Sequence, residues 1–302
     1  MSNSPISASE IETHLECPKK WKYEHQLSVE TAAEKESYER RGKLLRDIIF
    51  AVCEAEPATQ AEAIDIATSE LDDRWEAAVI ESLYLANRQQ AFDKAATRGA
   101  LKSYLRGSGF DHIQNVVGRD TTTVVRPVTD ETITISLDLI TEAENGLLVV
   151  EILPNLNGIS YTPQGNDDAS DHINQSSYGG NYLGSVLRAE LAIEAVDDFY
   201  GDENEDLQVE YLAVGLAESV STSGPMDADD DLAVETEYRN LTDWHLNYSE
   251  SNQELIANIV DRITAEDSEI PEPFVDDIRS NACKYCNYRK MCQSYLNWEV
   301  EF

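Results

Sequence analysis

Four of the five cysteines lie near the two ends of this 302-residue chain: Cys17 alone in Cys-Pro-Lys-Lys-Trp, and Cys283, Cys286 and Cys292 as Cys-x2-Cys-x5-Cys. A centre drawing on both groups would fold nearly the whole chain back on itself. Intracellular proteins seldom use such cysteines as disulfides. Three close thiols suit a partial zinc site, completed by Cys17 or a histidine, and thiolates in fours also hold iron–sulfur clusters. A zinc ribbon would bring two Cys-x2-Cys pairs, which this chain lacks. Spacing alone leaves both metals open. Cys53, on the apolar face of a helical pattern, reads as a core thiol.

The length allows one large core, or a core with an inserted helical lobe. No run of eighteen apolar residues occurs, and Met1 to Ile11 lacks a leader pattern, so a cytoplasmic protein is expected. Fifty-eight acidic residues oppose 23 basic ones, a net charge of −35, and the acids are spread along the chain. Arginine outnumbers lysine, 14 to 9. That balance looks halophilic: in molar salt the Debye length shrinks to about 3 Å and carboxylate self-repulsion is screened. Acidity then does not exclude a nucleic-acid partner, and it makes local basic clusters informative. There are three: Lys19, Lys20 and Lys22; Arg40, Arg41, Lys43 and Arg46; and Lys284, Arg289 and Lys290. They read as a DNA-facing, phosphate-binding surface built from both chain ends.

Along the chain, residues 6–25 predict one helix entered through Ser7 or Ser9, and residues 38–54 a second with an apolar face of Leu44, Leu45, Ile48, Ile49 and Val52. A long helical pattern follows to Arg106, and residues 55–110 are expected as a helical insertion. Residues 121–125, 132–140 and 147–153 are β-branched and aliphatic, with Glu144-Asn145-Gly146 as a turn. Residues 155–170 read as a loop, 170–195 as a helix interrupted at Gly179-Gly180, 207–216 as a strand, 219–231 as an acidic loop and 253–265 as a helix. Nothing repeats. One α/β domain over 1–302 is expected, closed by a cysteine segment at 270–302.

The residues around the cysteines carry a family resemblance. Ile6-Ser7-Ala8-Ser9-Glu10-Ile11, Cys17-Pro18 and Trp21 resemble the opening of RecB-like and AddB-like nucleases of the PD-(D/E)XK superfamily, a group that includes CRISPR-associated RecB-type exonucleases. Ala282 to Arg289 through Cys292 resembles their closing segment. The resemblance implies a restriction-endonuclease-like mixed sheet flanked by helices. It also implies a 4Fe–4S cluster on Cys17, Cys283, Cys286 and Cys292 that clips the two chain ends together.

Phosphodiester hydrolysis needs a metal to activate water and neutralise developing charge, and hard cations want carboxylates. Asp138 and Glu151, thirteen residues apart on either side of Asn145-Gly146, would meet across a hairpin. They look like the Asp…(Asp/Glu)-x-Lys signature, whose acids ligate Mg²⁺ or Mn²⁺. Against that signature, the lysine position holds Leu153, and losing one such donor costs about 10²–10³-fold in rate. Arg188 is the expected substitute, although a guanidinium cannot act as a base. The metal-binding histidine of the resemblance, four residues after Gly42, is replaced by Arg46, which offers no lone pair and is expected to pair with Asp138 or Glu151. Asn174 and Tyr178 match the spacing of the family's glutamine and tyrosine. His172 nearby is expected at the surface.

Three readings follow. The first is a DNA-binding, DNA-processing protein whose catalysis is impaired. The second is an active metal-dependent DNA exonuclease or endonuclease of repair or recombination, using Mg²⁺ or Mn²⁺. The third is a zinc-stapled interaction protein. Single-stranded DNA or DNA ends, with a helicase or recombination partner, fit the first two. No Gly-rich phosphate loop of a motor occurs.

Overall fold

The structure, a computed structural model, describes residues 5–29, 36–78, 87–125, 131–144, 146–156, 159, 168–200, 208–216, 232 and 234–300. The chain enters through β1 (Ile6–Ser7) and α1 (Ala8–Glu16). Ser7 caps α1 in a capping box: Glu10 N–H donates to Ser7 Oγ at 3.2 Å, and Ser7 N–H donates to Glu10 Oε2 at 2.8 Å. Residues 6–25 are thus not one helix. At Cys17 the backbone turns extended (φ −166°, ψ 115°), and Pro18 restarts a short helix α2 (Pro18–Trp21) from its favoured first position. A π-helical turn, Lys22–Gln26, follows.

Next come α3 (Glu36–Ala55), α4 (Gln60–Ala78), α5 (Asn87–Tyr104) and the short α6 (Phe110–Gln114). The hairpin strands β2 (Val116–Val125), β3 (Ile133–Ala143) and β4 (Gly146–Leu153) lead to α7 (Asp168–Ile173) and α8 (Gly180–Tyr200). After β5 (Gln208–Leu216) and β6 (Thr236–Asn240) the chain ends in α9 (Thr242–Thr264), α10 (Val275–Ser280) and α11 (Gln293–Val300). The β3–β4 turn closes on the Ala143↔Gly146 pair, with Gly146 at φ 155°. Asn145 and the acidic loop expected at 219–231 fall outside the described residues.

The sheet is mixed. β3 pairs antiparallel with β2 along one edge; on its other edge it pairs parallel with β1 at Ile133 and Thr134, then antiparallel with β4 from Leu139 onward. β4 continues in parallel to β5, and β5 antiparallel to β6. The unbroken apolar run of β4 is what a strand covered on both faces requires. Leu147 and Val149 face a core shared with α1, α8 and α9, while Val150 and Ile152 face a second core shared with α3, α4 and α5. The helices expected as an insertion at 55–110 therefore pack with α3 over this second face. In β3 the alternation breaks at Asp138: Leu137 joins the first core and Leu139 the second.

Candidate active site and cysteine clip

The β3–β4 ladder ends at Leu139↔Val150, so Asp138 and Glu151 face each other one step beyond it, where β3 leaves β4 to pair with β1. The register forces this placement, as the hairpin spacing anticipates. Ile152 N–H donates to Asp138 Oδ2 at 2.8 Å, holding that carboxylate across the gap. Arg46 reaches the site from α3, its Nε 3.9 Å from Asp138 Oδ1. Gly42, one turn earlier, lets α3 lie close to the end of β4, because a Cβ there would stand 3.0 Å from Pro154 Cγ.

Glu151 is held more tightly. Arg188, on α8, directs Nε at both carboxylate oxygens (2.6 and 2.7 Å), donates through Nη2 to Ser136 O at 2.9 Å, and reaches Glu12 Oε1 through Nη1 at 3.5 Å. Tyr211 of β5 donates its hydroxyl to Glu151 Oε2. Glu12 and Tyr211 were not anticipated from sequence. Glu12 arrives because α1 packs on α8, where the Gly184 backbone lies beside its side chain. Tyr211 arrives because β5 runs parallel to β4 in a register set far away in the chain.

The electrostatics follow from burial. Withdrawal from water, helped by Glu151, pushes Asp138 up to about 7, against the opposing pull of Arg46, the Ile152 amide and Arg188. Desolvation likewise lifts Glu12 to about 7, opposed by Arg188 and assisted by Glu151. Arg188 is held well above its usual range by Glu151 and Glu12, despite the cost of burial, and remains charged. Burial and the Glu151 charge keep Tyr211 protonated as a donor. Three carboxylates thus share two guanidinium groups. Leu153, at the expected lysine position, pairs with Gly215 and packs against the first core. Glu151's oxygens are occupied by Arg188 and Tyr211, and among the described residues no group of three His, Cys, Asp or Glu, at this centre or among the cysteines, is arranged to hold an ion. As it stands, the carboxylate set does not fit a resident Mg²⁺ or Mn²⁺.

Asn174 and Tyr178 do not join this site. Asn174 lies exposed in the turn after α7, and Gln175 adopts φ +57°, so the two family positions do not share a helix. Tyr178 is turned to the cysteine segment, where it donates to Glu16 O and packs beside Cys17 and Phe274. His172 is not a surface group either: its ring is half-buried 4.6 Å from Phe274, Nδ1 accepts from Gly179 N–H, and desolvation lowers it to about 4.

The chain ends do meet. Cys17 and Cys283 pack in one small cluster with Phe274, Ile278 and Ala282. Burial raises Cys17 to about 12 and Cys283 to about 11. Cys17 is pushed further by Cys283 and Cys286, Cys283 by Cys286 and Cys292, and Cys286 by Cys292. Of the four, Cys17 and Cys283 share one packed cluster. Cys53 is separate, buried in the second core. Around the clip, Tyr23 stacks on Tyr288 (5.6 Å between ring centroids), and Tyr288 Oη donates to Val29 O at 3.4 Å. The first and third basic clusters are thereby brought together. Lys20 pairs with Glu16, and Lys284, Arg289 and Lys290 are exposed. In the middle cluster, Arg40 and Arg41 are half-buried and Lys43 is exposed on α3.

Comparison with known proteins agrees with this architecture. Residues 5–152, from β1 through Glu151, match the family model of the PD-(D/E)XK nuclease superfamily. The central mixed sheet with helices on both faces is the restriction-endonuclease-like fold of that superfamily. No curated protein matches the chain. No helix among the described residues is long and apolar enough to cross a membrane.

Proposed function

We propose that this chain is a nuclease-fold, DNA-binding protein whose hydrolytic centre is neutralised by arginine and catalytically impaired. We further propose that a 4Fe–4S cluster on Cys17, Cys283, Cys286 and Cys292 joins its ends. The observation that carries the reading is the doubly directed Arg188–Glu151 contact, with Leu153 at the lysine position. A guanidinium has no lone pair for a metal and cannot accept water's proton. Arg188 and Arg46 therefore supply fixed positive charge where hydrolysis would need an exchangeable cation. Ser136 O holds Arg188 in place, and the Tyr211 hydroxyl holds Glu151. The superfamily match supports a nucleic-acid ligand, and the basic clusters supply phosphate contacts.

The cysteine set suits a cluster by donor chemistry: four thiols from two segments, three of them buried and Cys286 half-buried, all free of disulfides. When bound, the cluster supplies a cross-link between chain ends and a redox-active iron centre. Halophilic adaptation and action in repair or recombination belong to the same proposal.

Purified protein should shift labelled single-stranded and duplex DNA but release no product with Mn²⁺ in molar potassium chloride. Manganese-dependent cutting that disappears in Glu151→Ala would overturn the impaired reading. Colourless, zinc-loaded protein would overturn the cluster.

A further inference from the structure

Outside the carboxylate centre, a second buried polar assembly joins α8 to α9. Glu190 of α8 is fully buried, and four side chains of α9 bond to its two oxygens. His245 Nδ1 lies 3.0 Å from Oε2, and Asn252 Nδ2 donates to the same oxygen at 3.3 Å. Ser249 Oγ donates to Oε1, as does Gln253 Nε2 at 3.4 Å. Helix α9 is broken at Tyr248, whose backbone (φ −136°, ψ 16°) leaves the helical region. His245 lies before the break and the other three lie after it, so one carboxylate clasps both halves.

The first half of α9 brackets Tyr211. Leu241 N–H donates to Tyr211 O at 3.2 Å, and Tyr211 N–H donates to Thr242 Oγ1 at 3.3 Å. These bonds fix the Tyr211 backbone where the β5–β6 ladder ends, at Leu212↔Asn240, and the Tyr211 hydroxyl then reaches Glu151. On α8, Arg188 and Glu190 are two residues apart and so point to nearly opposite sides of the helix. Arg188 grips Glu151; Glu190 grips α9. The contacts close a ring, from Glu151 through Arg188, Glu190, His245 and Tyr211 back to Glu151.

Charge decides how firmly the ring closes. The bond to Glu190 raises His245, against the cost of burial and with help from the charges of Glu190, Glu194 and Asp197 on α8. Burial works against Glu190, yet His245, Ser249 and Asn252 hold it below the usual carboxylate range. Of the other elements packed on α9, β5 carries Tyr211 and the exposed Glu210, while α1 and α7 bring His14 and His172 to the far end, near Arg262. Asp243, on α9 itself, is exposed. A protonated histidine gives Glu190 a charge-assisted bond; a neutral one gives an ordinary bond, roughly half as strong.

We propose that Glu190 and His245 are remote positioning residues of the carboxylate centre: their pair holds the bracket around Tyr211, and through it the tyrosine's grip on Glu151, and loss of the His245 proton loosens that grip. The proposal rests on the filled-centre reading above and adds its regulation by pH.

Nuclear magnetic resonance on the full-length protein in molar potassium chloride tests it, over roughly pH 6 to 9, where a raised histidine titrates. Three signals are followed: the His245 ring, the exchange protection of the Leu241 and Tyr211 amides, and the Tyr211 Cζ resonance. As His245 loses its proton, both amides should lose about five-fold in protection relative to amides of α8, and the Cζ resonance should move with the same midpoint. Asp138 and Glu12 titrate in the same window, at about 7, so His245→Gln separates the contributions. That variant should show low protection throughout and no histidine step. Wild-type amides that ignore the His245 titration, or a step that survives in His245→Gln, would overturn the proposal. The wild-type series decides by itself if the variant does not fold. Glu151→Gln serves as the reference for the centre. If it shifts the Tyr211 resonance while the histidine step is missing, this inference alone fails; if it leaves that resonance unmoved, Tyr211 does not hold Glu151 and the filled-centre reading fails too.

Discussion

The carboxylate centre and the cysteine clip handle charge in opposite ways. At the split between β3 and β4, the acids are answered from within the chain: Arg188 covers Glu151, and Arg46 approaches Asp138. At the clip, burial holds Cys17 and Cys283 protonated, and each thiolate would be penalised by its neighbours. The first arrangement is complete without a metal. The second gains its charged form only if a metal draws off the protons, because only thiolates ligate. One helix serves both: α1 carries Glu12 to the arginine network and ends at Cys17. On the proposed reading, a nuclease fold retires one centre by filling it with guanidinium and keeps a second in its cysteines.

The largest effect belongs to the clip. Cys17→Ser should remove the visible absorbance and strongly lower the thermal midpoint, since the binding energy of a structural metal is folding energy, about 10 kcal/mol or more in zinc-finger peptides. A variant that keeps colour and midpoint would show that Cys17 is no ligand. At the other centre, Arg188→Met should cost about 3–5 kcal/mol in urea unfolding, because it strands Glu151 without its cation. A loss below about 1 kcal/mol would mean that the carboxylate does not need it.

A pH series sharpens the contrast. Asp138 and Glu12 are raised to about 7 when folded, from ordinary values near 4, so the native state binds more protons than the unfolded chain between those limits. Their contribution to stability is present below about pH 4 and is lost as pH rises through about 7. Asp138→Asn should flatten that part of the profile; an unchanged slope would place the titration elsewhere. Between α8 and α9, His245 Nδ1 lies 3.0 Å from the fully buried Glu190, and that contact raises the histidine. Its contribution is complete below about 6.5 and is lost as pH climbs through the raised value, so His245→Gln should blunt a decline at the alkaline end. The smallest effect is at the shared helix: Ser7→Ala removes the cap of α1 and should cost about 1 kcal/mol by chemical denaturation.

Much of the carboxylate centre was legible because it is local. A hairpin with a readable turn places Asp138 opposite Glu151, and Gly42 with Arg46 sits one helical turn apart. The rest depended on long-range register. Tyr211 reaches Glu151 only through the parallel β4–β5 pairing, and Glu12 only through the packing of α1 on α8, neither of which leaves a periodic mark. The break at Cys17 did leave a signal, since Pro18 suits a helix start better than a helix interior. Asn174 and Tyr178 misled because spacing was read as helical where Gln175 takes a left-handed turn. β6, the five-residue Thr-Glu-Tyr-Arg-Asn, is too short and polar to announce itself.

The central claim is that arginine stands where a catalytic cation would. Manganese binding followed by electron paramagnetic resonance tests it directly, in molar potassium chloride so that surface carboxylates are screened. Wild-type protein should leave the manganese signal that of the free ion, while Arg46→His with Arg188→Gln, which frees Glu151, should take up the metal. Stoichiometric uptake by wild-type protein, abolished by Asp138→Asn, would contradict the account.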